Sequence, residues 1–267
     1  MSYKNLLASI LWLLMLISFV QADAPKKVLL LGQKRDHPAK SHEYMAGLHV
    51  LEKALQGIPG LETHVYNADE PWPEGPELLR DADAVVLSLG EASRWEQIDA
   101  KRYEALKALA ARGGAIVGIH WAIGGKDAKY IPGHLALMGG CHGGPDRKYV
   151  MTETDVKVAD RNHPILRGIG DMRLNDEFYY RLKFAKEGTV TPLLQAVIDG
   201  QPETVAWAFE RPDGGRSFAF GCMHYHELWR RTDCRRLIVQ GLLWTLKMPI
   251  PEQGVAVDVA EEDLQLK

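Results

Sequence analysis

Histidine is the residue type whose placement in this sequence most directly indicates chemistry. The chain has ten histidines, and several follow an apolar run or lie in a glycine-rich stretch. Neutral imidazole is a common ligand for zinc and similar metals, and it also moves protons near neutral pH. The four histidines with the most suggestive placement are His42, His120, His142 and His224.

A carboxylate and several aromatic residues accompany these histidines. Residues 176–180 read Asp-Glu-Phe-Tyr-Tyr, and Glu177 is the predicted ligand, orienting group or base. The same stretch also fits a solvated turn with packed rings, and tryptophans near strand ends serve either as sugar platforms or as lids over a core. The residues predicted to bind substrate are His42, Trp121, Tyr179, His226 and Trp229.

The segment 113–122 positions His120. It reads as a glycine turn followed by a short β-branched apolar run that ends at the histidine. Such a run predicts a strand buried on both faces of a parallel sheet. Ligands of open α/β sheets bind outside the carboxyl ends of the strands, so His120 is predicted to lie at a ligand site.

The first half of the chain alternates between strand and helix patterns. This β-α-β-α-β order predicts a parallel sheet with right-handed crossovers. The predicted strands are 27–32, 61–66, 83–89 and 115–119, and the predicted helices are 41–56, 77–80 and 99–112, with Ser41 as a cap.

The second half changes character. Residues 124–147 lack periodicity and are predicted to be a long functional loop. A β-rich insertion and a closing helix follow, and the acidic C-terminal tail, 250–267, is predicted to be loose. The predicted strands are 150–159, 190–198, 204–210 and 217–222, and the helix is 233–247.

Composition and the N-terminus limit the function classes. The 267 residues are 46% hydrophobic with a net charge of -3, which argues against nucleic-acid and membrane-surface partners. Residues 1–22 have the charge, apolar core and small-residue end of a signal peptide, so export to a periplasm or the outside is predicted, with no membrane span after cleavage. An uncleaved anchor is the alternative.

Several familiar motifs are missing from the sequence. It contains neither a Gly-x-Ser-x-Gly elbow nor a phosphate-binding loop, and the glycine-rich stretch 139–144 does not follow a strand. No nucleotide cofactor is therefore expected. Cys141 in that stretch is an alternative nucleophile, and an odd count of three cysteines makes a poor disulfide framework.

The ordered set of short motifs resembles the ThuA-like (trehalose utilisation) family over residues 27–249. The resemblance implies a flavodoxin-like, class I glutamine-amidotransferase-like three-layer α/β sandwich with a mostly parallel central sheet and a β-rich insertion. The matching pieces are 41–43, 113–120, 139–142, 163–165, 176–179, 206–207, 215–216, His224 with Trp229, and 241–244.

The resemblance also suggests what has been lost. Amidotransferases carry a nucleophilic cysteine where this chain has His120, and a catalytic histidine near the position of His224 with a glutamate where His226 stands. Glutamine hydrolysis through a thioester is therefore not expected. The family name implies disaccharide metabolism, with a sugar or keto-sugar as the small-molecule partner.

Two functions stay open from the sequence. One is an exported hydrolase, lyase or isomerase with His120, Glu177 and His224 as catalytic residues. A divalent metal such as zinc on His120, His142 and His224, or metal-free acid–base chemistry, would serve it. The other is a non-catalytic sugar-binding or sensing protein, whose histidines would point apart instead of converging. The oligomeric state is open as well, with a homo-oligomer among the alternatives.

Overall fold

The computed structural model describes residues 24–266. The predicted signal peptide, 1–22, lies outside these residues. Across the part that is described, none of the helices is both long enough and apolar enough to span a membrane.

Nine strands of the described chain form one central sheet, in the order β2-β1-β3-β4-β12-β11-β10-β7-β8, and β5-β6-β9 form a small second sheet. The strands are β1 (Lys26–Gly32), β2 (Leu61–Asn67), β3 (Ala84–Ser88), β4 (Ala115–Ile119), β5 (Gly124–Gly125), β6 (Gly140–Gly143), β7 (Lys148–Val158), β8 (Met172–Tyr180), β9 (Lys183–Phe184), β10 (Thr189–Ile198), β11 (Gln201–Glu210) and β12 (Arg216–Phe220).

The central sheet is mixed. The strands β2-β1-β3-β4-β12 are parallel, whereas β12-β11-β10-β7-β8 are paired antiparallel. The α/β fold class and the predicted β-rich insertion are therefore confirmed. The insertion is not a separate layer, because its strands extend the parallel half of the same sheet.

Helices cover both faces of the parallel half. In β1, Val28 and Leu30 face the side covered by α1 and α6, and Leu29 and Leu31 face the side covered by α2 to α5. Alternating side chains thus build two cores, which confirms the three-layer sandwich. The helices are α1 (Tyr44–Leu55), α2 (Gly75–Asp81), α3 (Ala92–Ile98), α4 (Ala100–Ala111), α5 (Ile131–Met138) and α6 (Thr232–Thr245).

Several local predictions were wrong. The predicted loop 124–147 contains α5 as well as β5 and β6. Helix α5 spans only two turns and has a proline as its second residue, so it shows no helical period. Strand β8 and helix α3 were not predicted, and α1 begins at Tyr44 after Glu43, with Ser41 outside it.

The C-terminal segment is acidic, but it is not loose. Val257 and Leu264 are buried in the core beside α6. The Arg235 guanidinium donates to the Val257 carbonyl at 3.0 Å, and Arg230 pairs with Glu261. Buried apolar side chains and guanidinium–carbonyl hydrogen bonds hold this segment against the domain.

Candidate metal centre

The histidines lie at the carboxyl edge of the parallel strands, as the sequence predicted for His120. His120 follows β4 directly, and His224 lies shortly after β12. The backbone of His42, His120 and Met223 is left-handed, with φ of 49°, 54° and 89°. Non-glycine residues rarely adopt this conformation, and such strain is concentrated at functional sites.

A backbone bridge joins the two loops that hold His42 and His224. The N–H of His42 donates to the carbonyl of His224 at 3.0 Å, and the N–H of His226 donates to the carbonyl of Lys40 at 2.8 Å. These hydrogen bonds fix the loop that follows β1 to the loop that follows β12. This contact places two histidines from opposite ends of the chain side by side.

Asp176 fixes the same loop from the side of β8. Its fully buried carboxylate accepts the N–H of Met223 at 2.6 Å, and the N–H groups of His224 and Tyr225 at 3.4 Å. Burial raises the pKa of Asp176 to about 7, although these hydrogen bonds act against the shift. Asp176 is thus a positioning group for His224.

Three imidazoles and one carboxylate converge beneath the cleft. His120 Nε2 lies 2.9 Å from His42 Nε2, 3.2 Å from His224 Nδ1 and 3.4 Å from Glu177 Oε2. Glu177 Oε2 is also 3.5 Å from His224 Nδ1. All four residues are buried, and their ligand atoms lie within 4.8 Å of one another.

The hydrogen-bond partners identify which ring nitrogens carry the protons. His120 Nδ1 donates to the carbonyl of Gly221 at 3.1 Å, because a carbonyl can only accept. In the same way, His42 Nδ1 donates to the carboxylate of Asp36 at 2.7 Å. In the neutral rings, both Nε2 atoms therefore present lone pairs to the centre of the cluster.

The protonation states of the clustered side chains favour the binding of a cation. Burial lowers the pKa of His42, and it lowers the pKa of His120 even more. Both rings are therefore neutral at pH 7. Burial also raises the pKa of Glu177, but hydrogen bonds with His224 and Tyr179 outweigh it and hold the pKa below its usual value. The cluster thus combines neutral lone pairs with a negative charge.

The spacing fits a metal ion. Four ligands at 2.0–2.1 Å from a tetrahedral zinc stand about 3.3 Å apart, and the shortest contacts among these donor atoms run from 2.9 to 3.5 Å. Asp36 and the Gly221 carbonyl supply the outer hydrogen bonds that orient metal-bound imidazoles. The buried cluster could therefore hold a divalent metal.

His142, a predicted metal ligand, lies beside the cluster and not within it. Its Nε2 donates to the carbonyl of Lys148 at 3.0 Å, and its ring stacks on Tyr179 at 4.0 Å. Burial lowers its pKa to about 4. His42, which the sequence assigned to substrate, occupies the place in the donor set that His142 was expected to fill.

Tyr179 connects His142 to the cluster. Its ring stacks on His120 at 4.9 Å as well as on His142, and its hydroxyl lies 3.1 Å from His120 Nε2. Burial raises the pKa of Tyr179 well above its usual value, and the charge of Glu177 acts in the same direction. The phenol therefore stays protonated and donates into the centre.

The other predicted binding residues divide between two sides of the cluster. Trp121 lines the open cleft, 5.6 Å from the ring of His142. His226 and Trp229 lie behind the cluster instead, in a small enclosed space next to His42 and His120. The Nε2 of His226 donates a hydrogen bond to the Leu264 carbonyl at 3.1 Å, so His226 holds the C-terminal segment against the domain.

The sequence interpretation missed Asp36 and Tyr44. Asp36 bonds to His42, and the Tyr44 hydroxyl lies 2.8 Å from His42 Nδ1 and 3.4 Å from the Asp36 carboxylate. A usable signal was present, because Asp36 stands in the same polar loop as His42 after the first strand. Acidic residues beside a candidate ligand are frequent orienting partners.

The cluster opens into a polar cleft of about 500 Å³. Glu177 and His42 form part of its floor, while charged and aromatic side chains form its walls. Cys141 does not belong to it: the residue is buried, and burial raises the pKa of its thiol to about 12. The wall residues include Asp36, Glu91, Trp121, His142, Arg147 and Tyr149.

Comparison with known proteins decides the family. The family described as trehalose utilisation, ThuA, matches residues 27–245. The chain belongs to this family. No curated protein matches it.

Several solved structures are similar to this chain. A putative ThuA-like protein from Bacteroides uniformis is 15% identical, with a TM-score of 0.64 over 84% of this chain and 93% of that one. The GH42 β-galactosidase Gan42B is 11% identical, with a TM-score of 0.53 over 84% of this chain and 30% of its own. A glutamine amidotransferase from Thermotoga maritima is also 11% identical, with a TM-score of 0.40 over 83% and 96%. At these identities the ThuA-like neighbour shows the fold alone.

Proposed function

We propose that this ThuA-family protein is a divalent-metal-dependent enzyme, a hydrolase, lyase or isomerase, that acts on a sugar or keto-sugar. The observation that supports this most directly is the convergence of His42, His120, His224 and Glu177 below an open cleft. Three imidazole nitrogens and one carboxylate oxygen are a donor set that suits zinc. The family description, trehalose utilisation, supports a sugar as the substrate.

The residues around the cluster have separate tasks in this proposal. Bound metal would polarise a carbonyl or hydroxyl oxygen of the sugar, or lower the pKa of a water. Asp36 keeps His42 in the tautomer that offers Nε2, and the protonated phenol of Tyr179 donates a hydrogen bond into the centre. Trp121 is largely buried but lines the cleft wall, where it would contact the apolar part of a sugar.

The convergence also weighs against the non-catalytic alternative. A simple sugar-binding protein would need no cluster of lone pairs, and its histidines would each be satisfied by separate partners. His142 fits that description, because a separate carbonyl satisfies its Nε2. His120 Nε2 instead faces three other potential metal ligands: nitrogens of His42 and His224 and an oxygen of Glu177. Without a cation, the two Nε2 acceptors of His42 and His120 face each other at 2.9 Å, which is unfavourable in a buried site.

Metal content tests the proposal. The mature protein is purified without chelator or affinity nickel and measured by elemental analysis beside H120A, H224A and H142A. We expect near-stoichiometric metal in the wild type and in H142A, and its loss in H120A and H224A. His49→Ala is the matched control, because His49 is exposed on α1 and outside the cluster.

One result would contradict the metal centre itself, and another would contradict its ligand set. A folded wild-type protein that takes up no zinc, manganese or iron after addition would exclude the metal centre. Metal loss in H142A equal to that in H120A would instead support the ligand set expected from sequence. Once metal binding is established, hydrolase, lyase and isomerase activities towards sugars are assayed with the metal-loaded protein.

Export is a separate part of the proposal, and residues 1–22 are its basis. The predicted cleavage follows Ala22. N-terminal sequencing of the protein recovered from outside the cytoplasm should therefore begin at Asp23. Recovery of the intact N-terminus in the membrane fraction would favour the uncleaved anchor.

A further inference from the structure

Strand β7 presents two large apolar side chains to solvent next to the cleft. Tyr149 is 57% exposed and Met151 is 53% exposed. These two residues, the β7 platform, are two positions apart on one strand and therefore share a face of the sheet. The opposite face of the neighbouring strand β8 is buried, with Phe178 in the core.

The register of the sheet places the platform beside the metal centre. Tyr149 pairs with Tyr179, and Met151 pairs with Glu177, across the antiparallel strands β7 and β8. Side chains directly opposite each other in such a pair lie on the same face, with Cβ atoms about 4.5–5.5 Å apart. Tyr149 also lines the cleft that contains Glu177. The platform thus continues the wall of the candidate site.

A second depression begins at the other end of the platform. A groove of about 770 Å³ is lined by Glu153, Asn175 and Tyr225. The Tyr225 hydroxyl donates to the sulfur of Met151 at 3.7 Å, so Met151 lies between the cleft and the groove. From Tyr149 to Glu153 the strand spans about 13 Å.

We infer that the β7 platform holds the second ring of a substrate with at least two sugar rings, whose first ring reaches the metal centre. The inference rests on the proposed function. An aromatic face and a methionine suit the apolar C–H face of a sugar ring. Glu153 and Asn175, further along the same face, offer polar groups to its hydroxyls.

Calorimetric titration of the full, metal-loaded protein with trehalose and with glucose tests the inference. We expect the wild type to bind the two-ring sugar more tightly than the one-ring sugar. Tyr149→Ala should lower the trehalose affinity about five- to tenfold, and by more than it lowers the glucose affinity. Met151→Ala should also weaken trehalose binding but leave the glucose affinity unchanged, because Met151 does not line the cleft. Val197→Ala is the control, because Val197 is exposed on β10 and lines neither depression.

The contrary outcomes separate this inference from the proposed function. If the metal-loaded protein binds neither sugar, the sugar assignment fails and the second-ring site fails with it. If both sugars bind equally, or if Y149A and M151A keep wild-type trehalose affinity, the second-ring site alone is overturned. A smaller oligomeric mass in Y149A with unchanged trehalose affinity would assign the platform to a second copy of the chain, which also overturns it.

Discussion

The Nε2 atoms of His42 and His120 lie 2.9 Å apart, although the residues are 78 positions apart in the chain. Each ring uses its Nδ1–H on another partner, Asp36 or the Gly221 carbonyl. In the neutral rings both facing nitrogens are therefore acceptors, and two acceptors at this distance repel each other. A cation bound by both nitrogens would replace this repulsion with coordination, as in a histidine metal site.

Glu177→Gln should weaken metal binding at least tenfold, because it removes the one carboxylate of the cluster while keeping its size. A competition titration against a chromophoric chelator measures the affinity. Glu153→Gln is the control, since Glu153 is an exposed glutamate on the neighbouring strand β7. Equal affinities in both variants would exclude Glu177 from the metal centre.

Asp36→Asn should lower metal affinity by about 10–100-fold, the usual effect of losing an outer hydrogen-bonding carboxylate. The charge of Asp36 favours the His42 tautomer that presents Nε2 to the cluster. Asp146→Asn is the matched control, because Asp146 pairs with Lys183 outside the cluster. The same competition titration is used. An unchanged affinity in D36N would show that His42 is oriented without this carboxylate.

Asp176→Asn should reduce the free energy of unfolding by about 1–3 kcal/mol, because the new amide group faces backbone N–H donors that need an acceptor. Urea denaturation measures it, with exposed Asp155→Asn as the control. We also expect weaker metal binding, since Asp176 positions the loop of His224. A variant as stable as the wild type would contradict the positioning role.

His142→Phe should make the metal-free protein less sensitive to acid. Burial lowers the pKa of His142 to about 4 in the folded state, against about 6.5 when unfolded. Between these values only the unfolded chain binds the proton, so the stability contribution is present above pH 6.5 and is lost as the pH falls toward 4. The loss is on the order of 3 kcal/mol, and phenylalanine preserves the stacking while removing the titration.

Urea unfolding of the wild type and the variant at neutral pH and near pH 4 checks this difference. His49→Phe is the control, because His49 is exposed. The same acid sensitivity in wild type and H142F would show that His142 does not titrate in this range.

The three cysteines should not react with a thiol reagent in the native protein. All three are free and buried, and burial raises the pKa of Cys141 to about 12 and those of Cys222 and Cys234 well above their usual value. Mass spectrometry should find no label in the native chain and three labels in denaturant. Selective native labelling of Cys141 would restore it as a candidate nucleophile.

The parallel half of the sheet could be predicted because its strands are short apolar runs between amphipathic helices. Strands β1, β3 and β4 lie within a residue or two of the predicted bounds. Strand β8 could not be recognised in the same way, since Asp176 and Glu177 interrupt its apolar pattern. Tertiary contacts satisfy both carboxylates, through backbone N–H groups in one case and imidazoles in the other.

The sequence by itself determined the fold class and the chemistry available at one edge of the sheet. A buried strand that ends in His120 puts an imidazole at the carboxyl edge wherever the neighbouring strands lie. Only the tertiary structure decided which other groups meet it. The backbone bridge from His42 to His224 brings His42 into the cluster. His142 stays outside because the Lys148 carbonyl and the Tyr179 ring hold it. These choices depend on hydrogen bonds between distant segments, and no local pattern in the chain specifies them.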